Sequence, residues 1–423
     1  MACGRQEDRE REREGEQERE YPSPMDLHPR ARRLWTESAF QVLARARQLE
    51  AEGRDIVHLE IGQPDFPTAP NIVEAAARAL RDGKTGYGPA PGIPELREAI
   101  AEDVSRRRGI RVKASQVIVT PGAKAIIFYT VNAFAGRGDE VIYPDPGFPM
   151  YSSLIAHSGA KGVPLVLREG TGFRFDPDEF RSKLTERTRL IIVNYPHNPT
   201  GGTLAPEDFA VIAEEAERRD LAVLADEIYK DFLYEGEFAS IAALPGMDRR
   251  TVILDGFSKS YSMTGWRVGF GIVPERFASA YELYNVNIAS CTATFNQYGA
   301  LEAVRGPQDP VRAMVREFRK RRDYLVAELS KIPGFRCAPP AGAFYAFPSI
   351  QGSGLASSVL ATQLLDEAGV AVLSGNSFGP GGEGYLRFSY ASSLANLEKA
   401  VTRLKEHFTK GQAPATASER KGS

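Results

Sequence analysis

Cysteine is scarce in this chain of 423 residues, which carries only Cys3, Cys291 and Cys337. Three scattered thiols make neither a disulfide framework nor a zinc site. His28, His58, His157, His197 and His407 show no metal-ligand spacing with one another or with cysteine, so no metal is expected. Long apolar runs are also missing, which argues against a membrane-spanning helix. Neither sign of charge dominates. Lys and Arg number 53 against 55 Asp and Glu, and a net charge of −2 offers no basic surface for nucleic acid or a membrane. The sparse cysteine fits a reducing, cytoplasmic setting. Residues 5–20, RQEDREREREGEQERE, lack the apolar stretch of a secretory signal and carry the acids a mitochondrial presequence avoids. Residues 1–28 therefore read as a disordered charged tail, and 411–423 as a second disordered tail.

What remains is long enough for two domains. Helical periodicity runs over 38–52, 70–81 and 94–109, the second and third opening on Pro70 and Pro94 and the third ending at Gly109. Between them IVHLEIG (56–62) reads as a short extended segment. From residue 116 apolar strands alternate with helices: QVIVT, EVIYP, LIIVN, LAVLAD and TVILDG, each followed by polar or glycine-rich turns. Strands this apolar are buried on both faces, which makes the fold class α/β with a mostly parallel sheet between helices. Ligands in such sheets bind beyond the carboxyl ends of the strands. After residue 305 the rhythm changes to a long amphipathic helix and then shorter strands in FYAFPS, VAVLSG and YLRFSYA, with a helix in ASSVLATQLLDEAG. This reads as a smaller α/β domain of residues 29–65 and 330–410, set against a large domain of 66–329.

The strand ends hold the candidate chemistry. Lys259, in DGFSKSYSMTGWRVG, lies just past an apolar strand among small and hydroxyl residues. Desolvation there would lower its pKa and let it act as an amine nucleophile toward an aldehyde. Ser258 and Arg267 can donate to a phosphate at the same mouth. The Gly122, Ala123 and Lys124 amides of TPGAK open a helix and would also suit a phosphate, without the Lys-Ser/Thr ending of a P-loop. Asp226 ends LAVLAD. It either caps the next turn or pairs with a protonated ring nitrogen, with the Tyr229 phenol near the same ring. Asn198 is either a plain Asn-Pro turn or a donor to a phenolate oxygen. Phe148 either packs in the core or stacks on a flat ring. Tyr87 sits in the Gly- and Pro-rich loop KTGYGPAPG, which can reach an active site in its own or a partner chain. Arg387, within YLRFSY, needs a carboxylate, either a protein acid or that of a substrate.

In combination and in this order, GYGPAPGIPELREAI, NYPHNPTGG, ADEIY and SKSYSMTGWRVG resemble the class I/II aminotransferases of pyridoxal-phosphate (PLP) fold type I, from about residue 30 to 408. The resemblance implies that Lys259 forms the Schiff base with PLP and shuttles the proton. It makes Asp226 the ring-nitrogen partner, with Tyr229 and Asn198 as donors to the ring oxygen. Ser258, Arg267 and the Gly122–Lys124 turn form the phosphate cup. Tyr87 reaches the cofactor phosphate of a neighbouring subunit, so a homodimer is implied, and the segment 290–296 lines the pocket as well. Arg387 grips the substrate α-carboxylate beside the Gly62 backbone. Phe148 stands where tryptophan or tyrosine is usual, which keeps the stacking. Lys124 matches a lysine that meets the side-chain carboxylate of acidic substrates, although Ala39 stands where a supporting threonine is common. The implied activity is amino transfer between an L-amino acid, such as aspartate or glutamate, and a 2-oxo acid. A PLP-dependent lyase or decarboxylase on the same fold is the alternative.

Overall fold

Five apolar strand cores in the middle of the chain find one another in a seven-stranded sheet. Its spatial order is β2-β8-β7-β6-β5-β3-β4, with strands numbered along the chain. In this computed structural model, residues 27–35 and 38–410 are described. The two tails expected at 1–28 and 411–423 lie outside them, apart from Leu27 and His28. The strands are β2 (Val117–Thr120), β3 (Glu140–Asp145), β4 (Lys161–Val166), β5 (Thr188–Asn194), β6 (Ala222–Asp226), β7 (Thr251–Gly256) and β8 (Gly269–Ile272). β3, β4, β5, β6 and β7 run parallel to one another, while β8 is antiparallel to β2 and β7. Ile191, Ile192, Val223 and Leu224 at the sheet centre are at most 2% exposed. Burying each contributes roughly 1.5–3 kcal/mol, and helices on both faces supply the cover.

Helices begin where proline presets the first turn. Pro70–Arg81, Pro94–Arg108, Pro149–Ser158 and Pro206–Arg218 all have proline at their start. Pro94–Arg108 stops at Gly109 and Pro149–Ser158 at Gly159, both left-handed. The helix expected after QVIVT is Lys124–Phe134.

Two strands were not apparent from the sequence. β4 lacks a clean apolar run, and its second and fourth residues are Gly162 and Pro164. β8 reads GFGI, and glycine usually marks a loop. The glycines are there for close packing: a Cβ on Gly269 would stand 2.2 Å from the Ala123 amide nitrogen, and one on Gly271 2.8 Å from Ile126 Cδ1.

The remaining strands form two small sheets. β1 (Val57–His58) pairs in parallel with β10 (Val370–Ala371). β11 (Leu373–Ser374), β12 (Leu386–Ser389) and β9 (Tyr345–Ala346) form an antiparallel three-stranded sheet. VAVLSG thus serves two sheets, and the extended segments at 56–62 and 344–349 ladder over only two residues each. The long helix Asp309–Leu329 buries Phe318, Leu325 and Leu329. No helix among the described residues is long and apolar enough to cross a membrane.

Candidate active site

Strand register sets the floor of the site. Asn194, the last residue of β5, lies opposite Asp226, the last of β6. Asp226 in turn faces Leu254 of β7, five residues before Lys259. These carboxyl ends open into a cavity of about 620 Å³. Every candidate from the sequence lines it except Gly122 and Tyr87. A second hollow of about 970 Å³ lies away from these strand ends, by Arg54 and His407. Within it Arg403 pairs with Asp55 at 2.8 Å, and His407 lies 3.6 Å from Glu367.

Asp226 is 5% exposed. Tyr151 Oη donates to its Oδ2 at 2.6 Å, and the Ile228 amide to its Oδ1 at 3.2 Å. The amide contact is the local cap expected of an aspartate at this turn, yet the carboxylate also faces the cavity. Burial pushes the Asp226 pKa up to about 6, against the two hydrogen bonds that lower it. Asn194 ties the strand ends together, with Nδ2 donating to the Asp226 carbonyl at 2.9 Å and Oδ1 accepting the Asn198 amide at 2.9 Å.

Lys259 Nζ donates to the Gly62 carbonyl at 2.6 Å. It stands 5.9 Å from the centre of the Tyr229 ring. Tyr229 Oη lies 2.7 Å from Tyr345 Oη, and burial drives the Tyr229 pKa well above its usual value.

The helix Lys124–Phe134 starts without a side-chain cap. The Gly122 amide, expected to face a phosphate, donates instead to the Thr120 carbonyl at 2.7 Å, closing the turn on itself. Arg267 closes over this turn in a left-handed conformation, φ +56°, with Nη1 donating to the Thr264 carbonyl at 2.9 Å. A Cβ on Gly122 would fall 2.0 Å from Arg267 Nη2, so glycine leaves the space the guanidinium occupies. Gly122 therefore acts from behind the cavity wall. Ala123 and Lys124 at the helix start, the Arg267 guanidinium and Ser258 line the same side of the cavity, a combination that suits an anion.

On the other side Phe148 precedes Pro149–Ser158, its ring edge-on to Tyr151 at 5.6 Å. Lys124 Nζ lies 5.4 Å from the Phe148 ring and 5.8 Å from the Phe40 ring, and Phe40 and Ala39 both line the cavity.

Arg387, 4% exposed, faces the cavity from β12. Nη1 donates to Asn198 Oδ1 at 3.0 Å and Nη2 to the Glu60 carbonyl at 2.5 Å, while Nε is buried without a partner. The Tyr345 ring lies 4.3 Å from its Cζ. Among the described residues no carboxylate pairs with it, which removes the protein-acid alternative for this arginine.

Tyr87 does not reach this cavity and is 92% exposed. No residue of 290–296 lines the cavity of its own chain either. Tyr151, Asn194 and Tyr345 line the site but were not singled out in the sequence. A polar Asn194 ending an apolar strand was a usable signal, as was Tyr151 one helical turn past Phe148. Tyr345 gave none, because FYAF reads as core.

A profile of the family described as "Aminotransferase class I and II" matches residues 54–404. The chain is 40% identical to the probable aspartate/prephenate aminotransferase of Aquifex aeolicus over 387 residues, 90% of this chain and 98% of that protein. The aspartate aminotransferase of Thermus thermophilus with maleate superposes with a TM-score of 0.86 at 36% identity, covering 90% of this chain and 99% of that one. The aromatic aminotransferase of Pyrococcus horikoshii superposes at 0.82 and 38% identity, covering 87% and 99%. The chain belongs to the class I and II aminotransferases and is a transaminase that works with pyridoxal 5′-phosphate.

Proposed function

We propose that Lys259 holds the cofactor and moves the substrate proton, while Arg387 grips the substrate α-carboxylate. The observation that carries this reading is the buried Arg387 guanidinium, which faces the cavity of Lys259 and Asp226 without a protein carboxylate. An unpaired buried cation is costly, and a bidentate carboxylate would relieve it.

The residues fit the cofactor's chemistry. Ala123, Lys124, Ser258 and Arg267 would hold the phosphate, with Gly122 behind them making room for the Arg267 guanidinium. Asp226 would hold the ring nitrogen protonated, with Tyr151 keeping the carboxylate in place. Tyr229 and Asn198 would donate to the ring oxygen, and Phe148 would cover the ring face. Bound, the cofactor supplies an electron sink for the pair left at the substrate Cα. Lys259 Nζ would take the Cα proton as general base and, as general acid, deliver it to the far end of the conjugated system, since return to Cα would only regenerate the amino acid. Arg387 and the Gly62 backbone orient the substrate so that its Cα–H bond faces Lys259.

The substrate class we assign is L-amino acids that include aspartate or glutamate. Support comes from Lys124 at the cavity wall and from the names of the Aquifex and Thermus relatives. The Phe40 and Phe148 rings beside Lys124 also suit an aromatic side chain, as the name of the Pyrococcus relative would have it. The working unit is a homodimer. Tyr87 stands out from its own chain, and the helix Ala278–Ala289 exposes Leu283, Val286 and Ile288, apolar surface that a second copy would cover. The division into a small domain (29–65, 330–410) and a large one (66–329), the tails at either end and the cytoplasmic setting belong to the same proposal. Pairing of Val57–His58 with Val370–Ala371 supports the division.

Absorption spectra recorded during addition of single amino acids test this. The visible band of the lysine-linked cofactor should bleach with aspartate or glutamate, and Lys259→Ala should lack the band. Lys124→Ser should weaken the acidic substrates selectively. A Lys259→Ala enzyme with full turnover would refute the scheme.

A further inference from the structure

The Tyr229 hydroxyl has one proton, and the cavity offers it two places to go. One is toward the cofactor's ring oxygen, the role proposed above. The other is Tyr345 Oη, 2.7 Å away. Of two facing hydroxyls only one can donate along the line between them. If Tyr229 donates to Tyr345, it has nothing left for the ring oxygen. If Tyr345 donates to Tyr229, the Tyr229 proton is released toward the cavity.

We infer that Tyr345 is a positioning residue which donates to Tyr229 and so commits the Tyr229 proton to the cofactor ring oxygen. The inference rests on the roles proposed for Lys259 and Tyr229. One feature of the fold favours this direction, and two more hold the pair in place. Arg387 Cζ lies 4.3 Å from the centre of the Tyr345 ring, and a cation over the ring face makes the phenol a better donor. Tyr229 is packed edge-on against Phe344 at 5.3 Å and Tyr345 at 5.7 Å, contacts that hold its ring beside the Tyr345 hydroxyl. The place of the Tyr345 hydroxyl is reserved by the backbone opposite, since a Cβ on Gly62 would fall 2.0 Å from it. The Gly62 carbonyl is also the acceptor of Lys259 Nζ. One tyrosine, 1% exposed, therefore meets Tyr229, the Arg387 guanidinium and the segment that holds the lysine.

A chain of two hydroxyls polarises along its length, so the terminal donor is stronger than a lone one. A donor to the anionic ring oxygen stabilises the deprotonated form of the lysine-linked cofactor. Weakening it raises the pH at which that form appears. Tyr345→Phe keeps the ring against Arg387 and Phe344 and removes only the hydroxyl.

The experiment is a pH titration of the visible absorption of the cofactor-loaded enzyme without substrate, in wild type, Tyr345→Phe, Tyr229→Phe and the double variant. Thermal melts confirm that each is folded. Tyr345→Phe should raise the apparent pKa by about half a pH unit or more, roughly threefold in the dissociation constant. Tyr229→Phe should raise it further. Adding Tyr345→Phe to Tyr229→Phe should change nothing more, because the effect runs through Tyr229. A Tyr345→Phe titration that overlays wild type while Tyr229→Phe is shifted overturns the inference, as does a full Tyr345→Phe shift surviving in the Tyr229→Phe background. A wild-type enzyme without a visible band would instead overturn the assignment of Lys259 on which the inference rests.

Discussion

Arg387 Nη1 donates to Asn198 Oδ1 at 3.0 Å, and this neutral contact stands where a buried guanidinium would ordinarily have a carboxylate. Among the described residues the cation has no carboxylate counterion, a cost that its ring and hydrogen-bond contacts offset in part and an incoming anion would offset further. Both bonds it makes in the protein are to neutral oxygens, so their role is orientation.

Arg387→Lys should therefore leave the fold intact and lower kcat/KM by about 100-fold, through loss of the planar two-pronged grip. Simple dicarboxylates should lose inhibition in parallel. Steady-state kinetics and inhibitor titration decide it. Unchanged dicarboxylate affinity would place the anion elsewhere.

The second expectation concerns Asp226 in the cofactor-free protein. Burial holds its folded pKa at about 6, above the ordinary 3.8. The folded state then binds the proton more tightly than the unfolded chain. Its contribution is fully present below pH 3.8 and is lost as pH rises through about 6. Two pH units correspond to about 3 kcal/mol. Asp226→Asn should thus stabilise the cofactor-free protein at pH 7.5 by up to about that amount and leave it little changed at pH 4. Urea midpoints of both proteins at the two pH values test it, and an equal gap at both would contradict it. The same substitution should weaken cofactor binding, because a neutral amide lacks the charge that keeps the ring nitrogen protonated.

Much of this site was legible because its groups sit at strand ends, and strand ends follow from apolar runs. The apolar run of LAVLAD leads directly to Asp226, and that of TVILDG to the approach to Lys259. β8 was not legible, since GFGI owes its glycines to the helix packed on it rather than to a turn. Tyr345 was hidden for a related reason: what it does depends on Tyr229 and Arg387, 116 residues before it and 42 after. Strand alternation placed Arg387 apart from Leu386 and Phe388, yet all three are buried, and only the fold reveals that the face holding Arg387 is a cavity wall.

Gly122 has a role that the sequence located and the packing explains. Its φ of +84° disfavours any other residue, and an added Cβ would strike Arg267. Gly122→Ala should displace the guanidinium from the helix start and lower cofactor affinity by roughly 10- to 100-fold, the equivalent of one or two weakened charge-assisted hydrogen bonds. Titrating cofactor into the stripped protein and following the visible band measures this. An affinity equal to wild type would show that Arg267 does not serve the phosphate.

A last expectation lies behind the Arg387 strand. His58 Nδ1 is 2.8 Å from Glu60 Oε1, and its Nε2 is 3.1 Å from Glu50 Oε1. Glu60 is fully buried, its Oε2 has no partner, and its backbone carbonyl accepts from Arg387. The Glu60 hydrogen bond, against the effect of burial, raises the His58 pKa to about 9 from the ordinary 6.5. A raised histidine pKa stabilises the fold fully below pH 6.5, and the benefit is lost as pH rises through about 9. His58→Gln should therefore lower the melting temperature at pH 6–7 and match wild type by about pH 10. The half-exposed ring makes the loss smaller than its pKa alone implies, since solvent screens such pairs. A wild-type advantage that persists undiminished at pH 10 would mean the imidazole acts by packing rather than by charge. An advantage that fades through pH 9 would identify His58 as the counterion that keeps the Glu60 segment, and with it the Arg387 anchor, in place at neutral pH.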